Sequence, residues 1–414
     1  MQASERQTPI HAPMTQFPVA NGELLVGGVP LSRLATRVGQ TPFYAYDRQL
    51  LTQRVAQLRA ALPASIKLHY AMKANPMPAL VCHMAGLVDG IDVASGGELK
   101  VALDSGANPH EISFAGPGKS RDELKRATAA RILINIESFR EVTELTAIRN
   151  ETGDTPRIAV RVNPDFELKN SGMKMGGGPK QFGVDAEQVP ELLAEIGKAG
   201  LAFEGFHLFA GSQNLKPEAI VEAQCKSFEL ALRLAKTAPS PVRFLNLGGG
   251  FGIPYFPGEQ HLDLAPIGAN LAALAERARV ELPEAELVIE LGRYLVGEAG
   301  IYVSRIVDRK VSRGQTFLVT DGGLHHHLSA SGNFGQVIRK NYPVAIGNKM
   351  TPATRESVSV VGPLCTPLDL LADRMELAAA QLGDLVVIYQ SGAYGFTASP
   401  QAFLGHPACV EVLA

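Results

Sequence analysis

The sequence contains few cysteines and little net charge. Its 414 residues include four widely spaced cysteines, Cys82, Cys225, Cys365 and Cys409, and no CxxC pair, so neither a disulfide framework nor a zinc knot is indicated. The formal net charge is −2. No Lys/Arg run of the kind that binds nucleic acid occurs, which argues against DNA, RNA or an anionic membrane as a partner. A neutral or small substrate fits this charge balance better.

Long apolar runs are also lacking. None reaches the ~18 residues that a membrane span requires. The first residues, MQASERQTPI, do not show a positive region followed by an apolar stretch. With cysteines suited to a reducing compartment, these features predict a cytoplasmic protein that is not exported.

What the sequence does contain is an alternation of apolar and amphipathic segments. A single core stops growing near ~250–300 residues, so a chain of 414 residues predicts two domains. Eight β-branched, apolar runs alternate with helical stretches, which predicts a (β/α)8 barrel, with a doubly wound open sheet as the alternative. The runs are IKLHYAM (66–72), DGIDVAS (89–95), EISFAG (111–116), RILINI (131–136), RIAVRVN (157–163), FEGFHLF (203–209), RFLNLGGG (243–250) and LVIELG (287–292).

After about residue 296 the pattern becomes strand-like. The segments IYVSRIVDRKV, QTFLVTDG, ESVSVVGPL, DLVVIYQSGAY and CVEVL predict a β-domain. The glycine-rich segment MKMGGGPK (173–180) predicts a loop, and we interpret it as a candidate lid over the site.

Polar residues at the carboxyl ends of barrel strands need explaining, because chemistry collects there. Lys73 follows the first apolar run. Such a lysine is commonly a solvated end residue, but at the rim of a dry barrel its amine can attack a carbonyl and form a Schiff base. Gly248, Gly249 and Gly250 follow the seventh run and expose backbone N–H groups suited to a phosphate, although glycines there also form ordinary turns. Ser212 follows FHLF and could donate to the same anion.

Further along the chain, Glu290 ends the last apolar run and precedes Gly292 and Arg293. It is either a structural ion pair or a carboxylate that keeps a pyridine nitrogen protonated. Cys365, in VVGPLCTPLD, is equally consistent with an inert thiol. Tyr394 sits in a glycine-flanked turn that would expose its hydroxyl.

Three adjacent histidines, His325, His326 and His327, are the one cluster that suggests a metal. Neighbouring residues on a strand face opposite ways, and no other ligand spacing accompanies them. We therefore predict no metal site.

Five segments in this order, YAMKAN, GGGFG, ELGR, GPLCTPLD and GAYGFTAS, resemble motifs of the fold-type III pyridoxal-phosphate (PLP) decarboxylases. This family includes diaminopimelate, ornithine and arginine decarboxylases, and the resemblance runs over nearly the whole chain. It implies an alanine racemase-like barrel at 42–284 and a β-sandwich or Greek-key-like domain at 285–414 that takes in N-terminal strands from 1–41. It also implies a homodimer with active sites at the interface.

The resemblance further implies which residues act. Lys73 would hold the PLP, Glu290 would face its pyridine nitrogen, and Cys365 would enter the partner subunit's site as proton donor after the α-carboxylate leaves. The remaining cofactor-binding residues would be Phe209, Ser212, Gly248, Gly249, Gly250, Gly292, Arg293 and Tyr394.

Some positions depart from the family pattern. Thr366 replaces an acidic residue after the cysteine. Ser329 and Asn333 replace an arginine and a tyrosine after the Asp321-Gly322-Gly323 turn. The distal charge of diaminopimelate or of a diamine amino acid would then be buried unpaired. Phe209 replaces the histidine that usually stacks on the cofactor ring, with His207 two positions earlier.

These departures resemble a divergent branch of the family, found with exosortase-type surface-polymer systems and including a decarboxylase of a glutamyl group tethered to an acyl-carrier protein. A tethered substrate has a thioester in place of the distal charge. Five basic residues could contact an acidic helix of a carrier protein, with solvated surface as their alternative role: Lys169, Lys174, Lys180, Arg339 and Lys340.

Three alternatives remain. Diaminopimelate decarboxylase proper fits the motif set but lacks the distal contacts. A racemase is disfavoured because Glu290 stands where the family's racemases have an arginine. A non-catalytic, decarboxylase-like regulator is opposed by the presence of both Lys73 and Cys365.

Overall fold

The computed structural model describes residues 9–166, 173–174 and 176–414, which divide into two compact units. The barrel unit comprises 52–252 and 262–295. The β unit comprises the chain up to Leu51, Ile253–His261 and Val296–Ala414.

Eight parallel strands form a closed barrel in the barrel unit. The eighth strand pairs with the first from Leu287 opposite Ile66 to Leu291 opposite Tyr70, which completes the ring. The predicted barrel is confirmed, and the open-sheet alternative is wrong. The strands are Ile66–Ala71, Gly90–Val93, Ile112–Phe114, Leu133–Ile136, Arg157–Asn163, Ala202–Leu208, Phe244–Gly249 and Glu286–Leu291.

Amphipathic helices follow the strands. Val189–Ala199, for example, has a proline in its first turn, buries Val189, Leu192, Leu193 and Ile196 on one face, and ends at Gly200 with φ +65°. The other helices of this unit are Pro78–Ala85, Gly96–Asp104, Arg121–Ala129, Phe139–Thr152, Pro217–Ala235 and Ala265–Glu281. Arg48–Ala61 and Arg293–Val296 contain residues of both units.

The β unit contains an eight-stranded mixed sheet, a three-stranded sheet and the helix Leu31–Val38. Most pairs are antiparallel, but Gln315–Thr320 with Arg355–Val361, and Phe43–Tyr46 with Val410–Leu413, are parallel. The other large-sheet strands are Gly300–Ser312, Val344–Ile346, Leu370–Ala378 and Leu385–Ile388. The small sheet contains Val19–Ala20, Glu23–Val26 and Val29–Pro30. A separate β-domain is thereby confirmed as a mixed sheet.

Strand pairing places the domain limits differently from the sequence. Phe43–Tyr46, inside the predicted barrel range 42–284, pairs with Gly300–Ser312 in the β unit. Glu286–Leu291, inside the predicted β-domain 285–414, completes the barrel. Residues 253–261 belong to the β unit although the chain on both sides is barrel.

In the described ranges, no helix combines the length and apolar character that a membrane crossing requires. The candidate lid at 173–180 falls partly outside the described residues, and Lys169 lies entirely outside them. Of this segment, Met173–Lys174 pairs with Gly211–Ser212.

The barrel depends on close strand approach at Gly205. A Cβ at this position would lie 1.8 Å from the carbonyl oxygen of Phe244 on the neighbouring strand. We expect Gly205→Ala to force the strands apart and lower the free energy of unfolding by about 3 kcal/mol or more. Gly86→Ala is the matched control, because the nearest atom to its Cβ is 3.6 Å away. Chemical denaturation measures both, and equal stability of the two variants would refute the argument.

Candidate active site

Lys73 lies in the 3-10 turn Met72–Ala74 that follows the first barrel strand. The turn is held by Asn75, whose carbonyl oxygen accepts from the Tyr70 hydroxyl at 2.8 Å and whose N–H donates to Met72 O at 3.0 Å. Met72 and Ala74 are buried and Lys73 is exposed. The Lys73 amine Nζ is 5.5 Å from the centroid of the Phe209 ring. Two of the predicted residues thus meet, with the amine over an aromatic face.

Glu290 is a buried carboxylate on the eighth strand, and it contacts one nitrogen from each of the two preceding strands. Asn246 Nδ2 donates to Glu290 Oε2 at 3.0 Å, and His207 Nε2 lies 2.8 Å from the same oxygen as an ion pair. Burial raises the pKa of Glu290, but the charge and contact of His207, and then the charge of Lys73, act against burial and hold it at about 2. The carboxylate is therefore ionised at neutral pH.

The sequence did not indicate how His207 and Asn246 act. The two residues stand opposite each other in the ladder between the sixth and seventh strands. His207, Asn246 and Glu290 each interrupt an apolar run, FHLF, FLNL or VIEL. A polar residue inside the apolar run of each of three successive barrel strands is the signal that could have revealed this cluster.

The glycine loop makes close backbone contacts at each of its three positions. A Cβ on Gly248 would lie 2.6 Å from Leu208 O, one on Gly249 2.0 Å from Glu290 O, and one on Gly250 2.1 Å from Gly211 O. Gly248 and Gly250 also have φ +74°. The predicted cradle is thus a tightly packed main-chain surface that admits no side chain.

Hydrogen bonds within the protein limit which N–H groups of this loop can bind an anion. The N–H of Gly248 donates to Asn246 Oδ1 at 2.8 Å, so in this arrangement it does not serve a phosphate. Gly250 O accepts from the N–H of Asn214 at 2.9 Å, which ties the glycine loop to the turn that carries Ser212. The Ser212 Cα lies 3.3 Å from a Cβ placed on Gly250.

Gly292 links the last strand to the Lys73 turn. A Cβ on Gly292 would lie 2.8 Å from Ala71 O and 2.8 Å from the Ala74 Cβ. Arg293 follows directly and begins the helix Arg293–Val296. The barrel rim thereby brings together Lys73, Phe209, Ser212, the three loop glycines, Glu290 and Gly292.

Cys365 and Tyr394 belong to the β unit. Cys365 is exposed and free, in the connection between Arg355–Val361 and Leu370–Ala378. Asp369 fixes this connection, because its carboxylate accepts from the N–H of Leu364 at 2.8 Å and from that of Leu324 at 2.6 Å. Tyr394 has φ +52°, and its carbonyl oxygen accepts from Ser329 Oγ at 2.9 Å.

The three adjacent histidines are buried in the β unit. His326 Nε2 lies 2.8 Å from Pro407 O, and His327 Nε2 lies 2.8 Å from Ser391 Oγ. Within the described part of the chain, no group of three or more His, Cys, Asp or Glu side chains is arranged to hold a metal ion. Burial lowers the pKa of His327 to about 3, so its ring is neutral near pH 7.

The rim residues fit PLP. Lys73 provides an amine for the aldehyde, the loop glycines provide main chain that a phosphate can approach, and Glu290 is an ionised carboxylate for a protonated pyridine nitrogen.

Comparison with known proteins agrees with this site. The pyridoxal-binding domain of the pyridoxal-dependent decarboxylases matches residues 48–297. The chain is 36% identical over 388 residues to L-glutamyl-[BtrI acyl-carrier protein] decarboxylase of Niallia circulans, covering 91% of this chain and 90% of that protein. It is 33% identical over 396 residues to diaminopimelate decarboxylase of Aquifex aeolicus, covering 95% and 91%.

Solved structures show the same fold. AQ1208 from Aquifex aeolicus superposes with a TM-score of 0.83 at 30% identity, covering 97% of this chain and 92% of that one. Diaminopimelate decarboxylase from Helicobacter pylori, complexed with L-lysine, superposes with a TM-score of 0.81 at 27% identity, covering 92% and 94%.

Barrel, β-domain and rim residues together define a PLP-dependent amino-acid decarboxylase of the alanine racemase-like fold. The chain belongs to the pyridoxal-dependent decarboxylases, within the fold-type III group that includes the carrier-protein glutamyl decarboxylase. It is a carboxy-lyase with pyridoxal phosphate as cofactor, as the resemblance implied.

The neutral His327 makes stability depend on pH. The unfolded chain gains a proton on this histidine below its ordinary pKa near ~6.5, whereas the folded ring does so only near about 3. Stability is therefore lost as pH falls from ~6.5, by about 2 kcal/mol at pH ~5 for such a group. We expect His327→Gln, which retains a donor toward Ser391, to reduce the loss between pH 7.5 and 5 by about this amount. Denaturant unfolding at both pH values measures it, and an unchanged loss would contradict the assignment.

Proposed function

We propose that the protein removes the α-carboxylate of an amino acid whose distal carboxyl group is held as a thioester on a carrier protein. The observation that carries this proposal concerns Thr366, Ser329 and Asn333, where the sequence departs from the family members that act on diaminopimelate or on diamine amino acids. None bears a charge, and the hydrogen bonds of each are directed within the β unit. Ser329 Oγ donates to Tyr394 O at 2.9 Å, and Thr366 Oγ1 accepts from the N–H of Leu368 at 3.3 Å.

Asn333 is satisfied in the same way. Its Nδ2 donates to Ser331 Oγ at 2.8 Å and to Leu368 O at 3.3 Å. A distal ammonium or carboxylate would therefore find no counter-charge at these positions and would bear an unpaired desolvation cost. A thioester carries no such charge. The Niallia circulans relative is a decarboxylase of a carrier-bound glutamyl group, which supports the same substrate class.

The roles of individual residues are part of the proposal. Lys73 holds the cofactor through its amine, with Phe209 against that amine. Glu290, kept ionised by His207, stabilises a proton on the pyridine nitrogen, and Asn246 orients its carboxylate. When bound, PLP supplies an electron sink for the carbon that loses CO2. The Cys365 thiol then delivers a proton to that carbon.

Anion binding, assembly and location complete the proposal. By the family resemblance, the residues that would hold the phosphate are Ser212, Gly249, Gly250, Gly292, Arg293 and Tyr394. Cys365 acts in the site of the second subunit of a homodimer, and the protein works in the cytoplasm. These statements rest on the family resemblance and on cysteine usage.

Diaminopimelate decarboxylation is the second candidate. The identity to the Aquifex aeolicus enzyme over 95% of this chain favours it. The uncharged Thr366, Ser329 and Asn333 oppose it, since they leave both distal charges of diaminopimelate without a partner.

Release of CO2 by the PLP-loaded protein separates the candidates. The substrates are the L-glutamyl thioester of the BtrI acyl-carrier protein, free glutamate, diaminopimelate, ornithine, lysine and arginine. We expect turnover of the thioester and at most traces from the free amino acids. Turnover of free diaminopimelate at an ordinary enzymatic rate would overturn the proposal.

The proton-donor role of Cys365 gives a sharper mutational test. We expect Cys365→Ala to lower the rate of decarboxylated product formation about 10²- to 10⁴-fold, the usual worth of a positioned general acid. The cofactor absorbance should persist, because Cys365 is not among the residues that hold PLP. Cys82→Ala is the matched control, since Cys82 is another exposed, free cysteine. Full activity of Cys365→Ala would assign the proton to another group.

A further inference from the structure

The β unit contains a groove of about 1070 Å³ that no part of the proposed chemistry uses. Its lining comes from the chain near Ile10, from the segment 339–350 and from the strand Leu370–Ala378. Apolar side chains such as Val344, Ile346 and Leu377 contribute to it. A concave surface of this size, lined by both apolar and polar side chains, is suited to binding a partner.

The charge along the groove has one dominant sign. From residue 322 to residue 355 the chain has no Asp or Glu, and its Arg and Lys residues in this stretch all line the groove. They are Arg339, Lys340, Lys349 and Arg355. This local positive charge contrasts with the formal charge of −2 for the whole chain. An acidic partner would be attracted to it.

Existing ion pairs neutralise only part of this charge. Lys349 pairs with Asp384 at 2.7 Å, and the groove acid Asp373 pairs with Arg374 at 3.3 Å. The other groove acid is Glu376. Lys340 and Arg355 are exposed, and their side chains contact neutral groups: Lys340 Nζ lies 5.7 Å from the centroid of the Phe256 ring, and Arg355 Nη2 donates to Glu376 O at 2.6 Å. These two are the charges most available to a partner.

Exposed apolar side chains border the basic residues. Val337 and Ile338, directly before Arg339, are 101% and 77% exposed, and Ile10 in the groove is 78% exposed. Clustered exposure of this kind is uncommon on a surface without a partner. The combination of apolar contacts with basic charge describes a protein-docking surface.

Hydrogen bonds connect the groove to the segments that carry the proposed substrate contacts. Arg339 Nη2 donates to Leu370 O at 2.6 Å, and Asn341 Nδ2 donates to Asp373 O at 2.7 Å. Leu370 begins the strand that follows the Cys365 connection, and Asn333 lies six residues before Arg339. The groove wall is therefore continuous with both segments inside the β unit.

We infer that this groove is the docking surface for the acidic face of the carrier protein that delivers the thioester, an inference that rests on the proposed function. A second copy of the chain is the competing occupant. In a two-fold interface the same surface meets itself, so two patches of mainly positive charge would face each other and repel. An acidic carrier has no such conflict.

The test uses the double variant Lys340→Glu/Arg355→Glu in the PLP-loaded protein. Two substrates are compared, the L-glutamyl thioester of the BtrI acyl-carrier protein and L-glutamyl-pantetheine thioester, which has no carrier surface. We expect KM for the carrier substrate to rise at least tenfold, with kcat and all constants for the small thioester unchanged. Lys198→Glu, an exposed charge reversal on the barrel helix Val189–Ala199, is the matched control and should change neither substrate.

Binding of the carrier itself, followed by fluorescence anisotropy, separates this inference from the proposed function. Binding that the double variant weakens at least tenfold supports the groove even if the thioester is not turned over, in which case only the proposed function fails. Wild-type turnover of the carrier substrate with an unaffected double variant overturns the groove and leaves the function. A change of oligomeric state in the double variant, with equal loss on both substrates, would assign the groove to a second copy and also overturn the inference.

Discussion

Closure of the parallel barrel is the constraint on which the rest of the molecule depends. The pairing of Glu286–Leu291 with Ile66–Ala71 brings the last strand beside the first. Lys73 and Glu290, distant in sequence, therefore end neighbouring strands at the same rim. Close approach of the main chain around the ring excludes side chains at Gly205, Gly249 and Gly250. The same tight packing that closes the barrel shapes the glycine loop to which our proposal assigns the phosphate.

A carboxylate that is ionised at neutral pH follows from that closure. Glu290 is buried, and burial without a partner would raise its pKa. His207 and Asn246, on the two preceding strands, contact its carboxylate oxygen. A carboxylate fixed in this way would suit the positive pyridine nitrogen that our proposal assigns to it. In the β unit the corresponding fixed element is Asp369, whose two main-chain hydrogen bonds hold the Cys365 connection against Leu324.

The sequence predicted the barrel strands well because buried parallel strands are continuous apolar runs with clear ends. The sequence did not indicate one strand whose composition favours a helix but whose tertiary contacts impose a strand. Leu370–Ala378 is rich in Leu, Ala, Arg, Met and Glu, residues that favour helices, yet it pairs along Arg355–Val361. The motifs predicted Lys73 and Glu290 as site residues, and the structure places both at the barrel rim. The pairing of His207 with Asn246 depends on strand register, and the hydrogen bond that occupies the N–H of Gly248 is not visible in any motif.

The identity of the cofactor lysine is the central claim, and borohydride reduction of the PLP-loaded protein tests it most directly. Reduction fixes the cofactor on whichever lysine holds it, and peptide mass spectrometry then locates the added mass. The account predicts a single modified peptide containing Lys73, and the same treatment of Lys73→Ala should leave every peptide unmodified. Modification of a different lysine in the wild type, or none, would contradict it.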